Sequence, residues 1–180
     1  MVEQKIITIN PLIYGQDLLN LNDQLKWQIA FAVSDLLKQH QGHMLQFNGY
    51  QLVEKFINPG LAVAMWDYQN KTLMAFAKNA PWPGANEYGQ QVLEFGSWIT
   101  APGYENKGIG TLMAKAAAIT ANCFDPNSQL IAVCAGDNTK PIDVLKKLGA
   151  IETEKPSNVQ ILLGEGQAKV IVLDMSHLNL

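Results

Sequence analysis

The sequence predicts an α+β (mixed α/β) fold, with one central, largely antiparallel, twisted sheet flanked by helices. The first third of the chain carries the apolar period of a helix. A turn signal at Asn58–Gly60 then ends that period, and the rest alternates short apolar runs with two further helical patterns. No repeat or linker tract interrupts the 180 residues, so we expect a single domain over residues 1–180.

The N-terminal third is predicted to contain a strand at Lys5–Ile9, a long helix within Asn22–Lys38 and a short helix at Tyr50–Phe56. The long helix is indicated by a stripe of apolar residues that one face would bury, namely Leu25, Ile29, Val33 and Leu36. Asn22 or Asp23 is expected to cap its first turn, because both side chains accept hydrogen bonds from free helical amides.

An antiparallel meander is predicted next. Leu61–Trp66 and Thr72–Ala77 read as a hairpin around the turn Asp67–Asn70, and the central strand follows at Val92–Thr100. The connection Asn79–Gln90 is rich in Pro, Gly and Asn and is predicted to be a loop. Its aromatic residues, Trp82 and Tyr88, are expected to pack against the domain rather than contact a substrate.

The second half is predicted to alternate helices and strands. The helix Thr139–Leu148 has Thr139 as its expected cap and Gly149 as its expected end. The remaining predictions are a helix at Gly108–Asn122 and strands at Leu130–Ala135, Ala150–Glu154, around Ile161 and at Lys169–Asp174, with the connection Gly164–Gly166 before the last strand.

Composition excludes several classes of function. A net charge of −3 and a pI near 5.5 offer no basic surface for nucleic acid. Neither cysteine lies in a CxxC pair, which argues against a disulfide framework or a zinc site, and Cys134 is expected to be a core residue. No signal peptide and no apolar run of ~20 residues is visible, so we expect a cytoplasmic protein without a membrane partner.

The segment Leu93–Met113 carries the strongest chemical signal. A predicted strand ends at Pro102, a short loop follows, and a helix opens at Gly108-Ile109-Gly110. The first amides of a helix lack internal partners and lie at its positive end, so a glycine-containing entry can hold a diphosphate. A dinucleotide fingerprint would need a third glycine and a P-loop would need G-x-x-x-x-G-K-[ST], and both are absent. Taken alone, a helix that merely begins with glycines would explain the pattern.

A second segment strengthens the signal. The pattern Pro102, Tyr104, Lys107–Gly110 and Leu112, with Asn138 and Lys147–Ala150 downstream, resembles the signature of the GNAT superfamily of N-acetyltransferases. The resemblance covers roughly 61–173. It implies direct transfer of an acetyl group from acetyl-CoA to a primary amine, such as a small molecule or a peptide, with no metal and no enzyme nucleophile. A homodimer is compatible with it.

The resemblance also implies site residues. Main-chain groups of Ile99 and Thr100 would pair with the pantetheine arm, and Asn138 would hydrogen-bond the same arm. The CoA diphosphate would be held by the backbone amides of Glu105, Asn106, Lys107, Gly108, Ile109, Gly110 and Thr111, with the Thr111 hydroxyl as a further donor. Gly108 and Gly110 are expected to be the positions most sensitive to substitution, because a side chain at either one would obstruct the approach of the diphosphate.

Glu94 is the candidate general base, as the one carboxylate on the predicted central strand. Alternation along a regular strand would place Glu94, Gly96 and Trp98 on one face and Ser97 on the other. Leu93 and Trp98 would then desolvate the carboxylate. The alternative is a strand-end glutamate paired with a surface lysine.

Three departures from the family pattern bear on activity. Glu105 stands where Arg or Gln is usual, Asn106 replaces the first glycine, and Leu145 occupies the position of the tyrosine proposed to protonate the thiolate. Two alternative functions therefore remain: a non-catalytic acyl-CoA-binding sensor or interaction domain, and a nucleotide-binding domain.

Overall fold

A computed structural model describes residues 12–13, 15–40, 44–163 and 170–179. The elements there are, in chain order, β1 (Leu12–Ile13), α1 (Gly15–Leu19), α2 (Asp23–Lys38), α3 (Gly49–Leu52), a π-helical turn (Val53–Ile57), β2 (Ala62–Asp67), β3 (Thr72–Ala85), β4 (Gln91–Thr100), α4 (Ile109–Phe124), β5 (Gln129–Ala135), α5 (Thr139–Lys147), β6 (Ile151–Thr153), α6 (Ser157–Leu163) and β7 (Val170–Asp174).

All seven of these strands form one sheet in the order β1-β2-β3-β4-β5-β7-β6. Within the described ranges β4–β5 is the one parallel pair, and the other neighbours are antiparallel. The predicted α+β fold with a largely antiparallel sheet is confirmed. None of the helices in these ranges is long and apolar enough to cross a lipid bilayer.

Helices cover both faces of the sheet and define three apolar clusters. The first core lies under α4 and α5 and includes Leu93, Phe95, Met113, Leu145 and Leu173. The second core lies under α1–α3 and includes Leu18, Ile29, Leu37, Phe56 and Phe76. A smaller third cluster on the second core's side consists of Val92, Ile131, Val159 on α6, and Val172.

Local hydrogen bonds and backbone angles account for three helix boundaries, of which those at Asn22 and Gly149 were predicted. The Asn22 side chain caps α2 by accepting the Leu25 N–H at 2.9 Å. Asn48 and Gln51 form a reciprocal capping box at α3. Gly149, with a φ of 104°, follows α5, where the left-handed backbone favours glycine.

Four predictions of local structure are wrong. β3 continues to Ala85, through the predicted loop, because its ladder with β4 extends past Asn79. The apolar run around Ile161 belongs to α6, since a short apolar run does not distinguish a buried strand from a helix. Asn138, not Thr139, is the N-cap residue of α5. Tyr88 is 79% exposed rather than packed against the domain, whereas Trp82 packs on the third cluster as expected.

Four predicted features lie outside the described residues. They are the strand Lys5–Ile9, the connection Gly164–Gly166, Lys169 at the start of the last predicted strand, and His43, which is expected at the surface.

Candidate active site

β4 and β5 pair for only part of their length. The parallel ladder runs from Val92 opposite Gln129 to Phe95 opposite Ala132 and then stops. Beyond that point β4 stays on β3 and β5 stays on β7. The facing edges 96–100 and 133–135 therefore carry main-chain groups with no ladder between them, at the predicted place for the pantetheine arm.

A bulge in β4 coincides with this split. Ser97 has a φ of 48°, in the left-handed region, and the β3 register shifts so that Ser97 and Trp98 together oppose Ala77. An extra residue in one strand bends it and increases its twist. The bulge thus turns β4 away from β5 just after the paired stretch.

The bulge also corrects the predicted alternation along β4. Trp98 does not share a face with Glu94: its ring centroid lies 5.3 Å from that of Phe95, and it packs against the first core. Leu93 belongs to the first core as well, so neither Leu93 nor Trp98 desolvates Glu94. Gly96 does lie beside Glu94, as expected. A Cβ on Gly96 would stand 3.5 Å from Glu94 Oε1.

The loop that enters α4 leaves a row of backbone amides free. In the part of the chain that the structure describes, no amide from Glu105 to Thr111 donates a hydrogen bond to a protein acceptor. Gly108 is the N-cap residue, and α4 has no side-chain cap. The positive end of this helix and its unpaired amides therefore face outward at the end of β4.

Asn106 fits the place of the missing glycine. Its φ is 60°, so the loop requires a left-handed residue there, and asparagine adopts that conformation more readily than other side chains. The substitution that departs from the family pattern thus preserves the backbone of the loop.

Glu105 and Lys107 are both engaged within the loop. The Glu105 carboxylate accepts the Gly103 N–H at 2.7 Å, and Lys107 Nζ donates to the Gly103 carbonyl at 2.8 Å. Lys107 Nζ also lies 5.4 Å from the centroid of the Tyr104 ring. Their charges are therefore tied to opposite sides of one residue, which limits the repulsion that Glu105 would exert on a bound anion.

The two glycines at the start of α4 are bare for different reasons. Gly108 has a φ of 76°, and a Cβ added to it would meet only open space, so its backbone angle is what demands glycine. Gly110 has no such angle, but a Cβ there would lie 3.1 Å from the Trp98 ring. Gly110 therefore lets α4 pack closely on β4, and only Gly108 is left bare on the open side.

The other implied CoA-contact residues lie around the same opening. Ile99 and Thr100 pair with Phe76 and Ala75 on β3, which leaves their other edge facing the split. Asn138 is exposed at the start of α5, and its side chain makes no capping hydrogen bond. Asn138 therefore occupies the N-cap position of α5 without capping the helix through its side chain.

Glu94 is accompanied by a buried cation that sequence reasoning did not find. Lys78 on β3 is 3% exposed, and its Nζ would be 3.6 Å from a Cβ on Gly96. Nζ also lies over the Phe47 and Phe56 rings, at 5.4 and 4.8 Å from their centroids. The available signal in the sequence was that Lys78 has the same strand parity as Phe76 and directly follows the apolar run 73–77.

Burial shifts both groups toward their neutral forms. It raises the pKa of Glu94, and the Lys78 ammonium and the Trp82 indole N–H oppose that rise. Trp82 Nε1 nevertheless forms no hydrogen bond of ordinary geometry among the described residues. Burial lowers the pKa of Lys78, and the Glu94 carboxylate opposes that fall. The shift of Glu94 has the direction that a general base requires.

Other titratable or nucleophilic candidates are structural or distant. Leu145 is 1% exposed in the first core, so its position supplies no proton. Cys134 packs on that core, and burial raises the pKa of its thiol, with the Glu94 charge adding to the rise. His40 and His177 are exposed, and the described residues contain no cluster of potential metal ligands. A cavity of about 330 Å³ lies at the opposite end of α4, near Asp125 and Leu178.

The sequence matches the family model described as "Acetyltransferase (GNAT) domain" over residues 53–151, more than half of the chain. The chain belongs to the GNAT acetyltransferase family. The match includes β4, the free amides before α4, and Asn138. Among curated protein sequences, none matches this one.

Solved acetyltransferase structures share the fold. N-acetylglutamate synthase from Neisseria gonorrhoeae, complexed with coenzyme A and N-acetyl-glutamate, has a TM-score of 0.58 at 16% identity, over 81% of this chain and 31% of that chain. Arabidopsis thaliana Naa50, in complex with the bisubstrate analogue CoA-Ac-MVNAL, has a TM-score of 0.57 at 13% identity, over 91% of this chain and 95% of that chain. A GNAT acetyltransferase from Streptococcus pneumoniae has a TM-score of 0.58 at 12% identity, over 82% of this chain and 93% of that chain.

At these identities the likeness shows the fold alone. This GNAT chain spans about a third of the length of the gonococcal synthase.

Proposed function

We propose that this chain is a single-domain N-acetyltransferase, which transfers an acetyl group from acetyl-CoA directly to a primary amine. One observation carries the proposal. The unpaired edge of β4, opened by the bulge at Ser97, leads into the loop with the free amides before α4 and follows a partly buried carboxylate, Glu94. A family member needs these three features together: a place for the pantetheine arm, a place for the diphosphate and a proton acceptor.

The residues present fit CoA. The amides of 105–111 supply donors for the diphosphate at the positive end of α4, and Thr111 adds a hydroxyl. The main chain of Ile99 and Thr100 pairs with the arm as an added strand would, and the side-chain amide of Asn138 binds it from the side of β5. Acetyl-CoA supplies the reactive thioester, and these contacts orient it toward β4.

Glu94 acts as the base. A primary ammonium has a pKa near ~10.4, so few molecules are nucleophilic at neutral pH unless a group accepts the proton. A desolvated carboxylate with a raised pKa is suited to that transfer. Because Leu145 offers no acid, water protonates the departing thiolate.

The test combines binding with turnover. Calorimetry should show that acetyl-CoA binds, and mixing the protein with acetyl-CoA and a panel of amines should release free CoA thiol only when an acceptor is present. Binding without acceptor-dependent release over the whole panel would indicate the non-catalytic acyl-CoA sensor. A melting temperature that rises with NAD or ATP and not with CoA would indicate a nucleotide-binding domain.

A further inference from the structure

The ammonium of Lys78 is buried and has no hydrogen-bond partner among the residues that the structure describes. The side chain is 3% exposed, yet within the described residues Nζ donates no hydrogen bond and forms no ion pair. Its neighbours are the faces of Phe47 and Phe56, and the Glu94 carboxylate interacts with it electrostatically without forming an ion pair. Burying a cation without hydrogen-bonded partners costs several kcal/mol, so packing alone does not account for it.

The space between Lys78 and Glu94 is kept open by Gly96. A Cβ on Gly96 would touch both polar atoms, at 3.5 Å from Glu94 Oε1 and 3.6 Å from Lys78 Nζ, and no backbone strain forces glycine there. A ligand group in this space would meet three N–H donors on one side and carboxylate acceptors on the other. A small molecule that carries an acceptor and a donor on neighbouring atoms satisfies both sides at once.

The charge balance of the site indicates which chemical group of the ligand accepts hydrogen bonds from Lys78. With a bound monoamine the site would hold two cations and one carboxylate, whereas an α-amino carboxylate adds one charge of each sign and leaves the site neutral. Uncompensated charge is costly in a buried site, so the zwitterion is favoured. We propose that the acetyl acceptor is a free α-amino acid, whose carboxylate binds Lys78 and whose amine faces Glu94. This inference rests on the proposed function, since it names the substrate of the same site.

The placement suits the reaction. Gly96 immediately precedes the bulge at Ser97, where β4 leaves β5, so an amine beside Gly96 lies next to the opening that receives the thioester. The ammonium first loses a proton to Glu94, which passes it to solvent. The amine nitrogen then bonds to the acetyl carbon as the carbon–sulfur bond breaks. Water accepts the proton released on forming the amide and protonates the CoA thiolate.

The experiment compares three matched acceptor sets by acceptor-dependent thiol release: the twenty L-α-amino acids, their carboxamides, and the corresponding amines without the carboxyl group. For the best acceptor, kcat/KM of the wild type should exceed that of its decarboxylated amine by about 10²-fold, the size expected for a buried charge-assisted contact. Lys78→Met should abolish this preference. The dissociation constant of acetyl-CoA should stay within about threefold of the wild type, because Lys78 is not among the residues assigned to CoA.

Lys55→Met is the matched control, because Lys55 is an exposed lysine on the π-helical turn that carries Phe56. It should retain the full preference. Equal use of acids and carboxamides would overturn the inference, since Lys78 would then bind a carbonyl rather than a charge. Equal use of acids and decarboxylated amines, or an unchanged preference in Lys78→Met, would overturn it too.

Calorimetry of the same amino acids without acetyl-CoA keeps the two proposals separable. Binding of an amino acid that depends on Lys78, in a protein with no transferase activity, would support the inference and defeat the proposed function. Transfer to simple amines together with no amino-acid binding would defeat the inference and leave the proposed function standing.

Discussion

Two adjacent residues of β3 show how differently the two faces of the sheet use buried polar groups. Asn79 is 0% exposed on the α4 side, and its Nδ2 donates to the Ala117 carbonyl at 2.8 Å. Lys78 is 3% exposed on the opposite side, and its Nζ donates to no protein group in the described part of the chain. The face under α4 and α5 uses a polar side chain to fix packing. The other face leaves charged groups available to a ligand.

The same contrast runs along β4. Phe95 and Trp98 pack under α4, while Glu94 and Gly96 face the space beside Lys78. Substitution of polar residues on the face under α4 should lower stability. Substitution of the charged residues on the other face should lower activity without lowering stability.

The largest expected effect is on turnover. Glu94→Gln should lower kcat by ~10²-fold or more at neutral pH, because the ammonium would lose its proton acceptor. Activity should recover partly at high pH, where the free amine forms without help, and the acetyl-CoA dissociation constant should barely change. Glu154→Gln, at an exposed carboxylate, is the control. Full turnover in Glu94→Gln would mean that the proton leaves by another route.

The pH profile of the wild type follows from the raised pKa of Glu94. Only the carboxylate accepts a proton, so kcat/KM should fall as the pH drops through that pKa. The fall should lie above ~4.3, the ordinary value for glutamate, and be missing in Glu94→Gln.

CoA affinity should depend on the open side of the α4 entry. Gly108→Asn places a side chain at the free amides in a residue that tolerates a left-handed backbone, and should weaken acetyl-CoA binding by about tenfold or more. Gly103→Asn is the matched control, since Gly103 is also left-handed and unobstructed but precedes the free amides. Similar calorimetric affinities for the two variants would remove the α4 amides from the site.

Stability should change in opposite directions on the two faces. Asn79→Ala removes a buried hydrogen bond and should cost about 1–3 kcal/mol, or roughly 2–4 °C in Tm per kcal/mol for a chain of this size. The double variant Lys78→Met/Glu94→Gln removes one buried and one partly buried charge that form no ion pair among the described residues, and should raise Tm at neutral pH.

The increase in Tm of the double variant over the wild type should depend on pH, which calorimetric melting at several pH values can measure. The lowered pKa of Lys78 destabilises the wild type until the pH exceeds ~10.4, where the unfolded chain loses the proton too. The raised pKa of Glu94 destabilises it at all pH values above ~4.3. The gain should therefore be greatest near neutrality and shrink toward both extremes. A lower Tm at pH 7 would show that the pair stabilises the fold.

The smallest expected effect concerns Asn138. Asn138→Ala should raise the KM for acetyl-CoA about three- to tenfold, as expected for one hydrogen bond, with little change in kcat. Tm should be unchanged because the side chain caps nothing. Normal kinetics with a lower Tm would contradict the anchoring role, and the exposed neighbour Asp137→Ala serves as the control.

Local chemistry in the sequence predicted much of the fold. Asn22 and Gly149 lie where caps and helix ends require them, and the order of elements from β2 to β5 was readable from apolar period. The wrong predictions arise from tertiary effects. The ladder of β3 with β4 overrides turn-forming residues, and packing on the third cluster decides that Val159 lies on a helix.

The candidate site was predictable where it depends on backbone and not where it depends on contacts. The glycine-containing entry to α4 was predicted from the sequence. In the structure, the backbone amides of this entry have no hydrogen-bond partner among the described residues. The left-handed conformation of Ser97 has no local signal in the sequence. The prediction therefore placed Trp98 on the wrong face of the sheet. Lys78 was missed because only the folded sheet brings it beside Gly96 and Glu94.

One measurement tests the location of the site most directly: backbone amide NMR shifts during a titration with acetyl-CoA. The account predicts the largest changes at the amides of 105–111, with smaller changes along 96–100 and at Asn138. Changes centred on the cavity near Asp125 and Leu178, at the other end of α4, with the α4 entry unmoved, would contradict it.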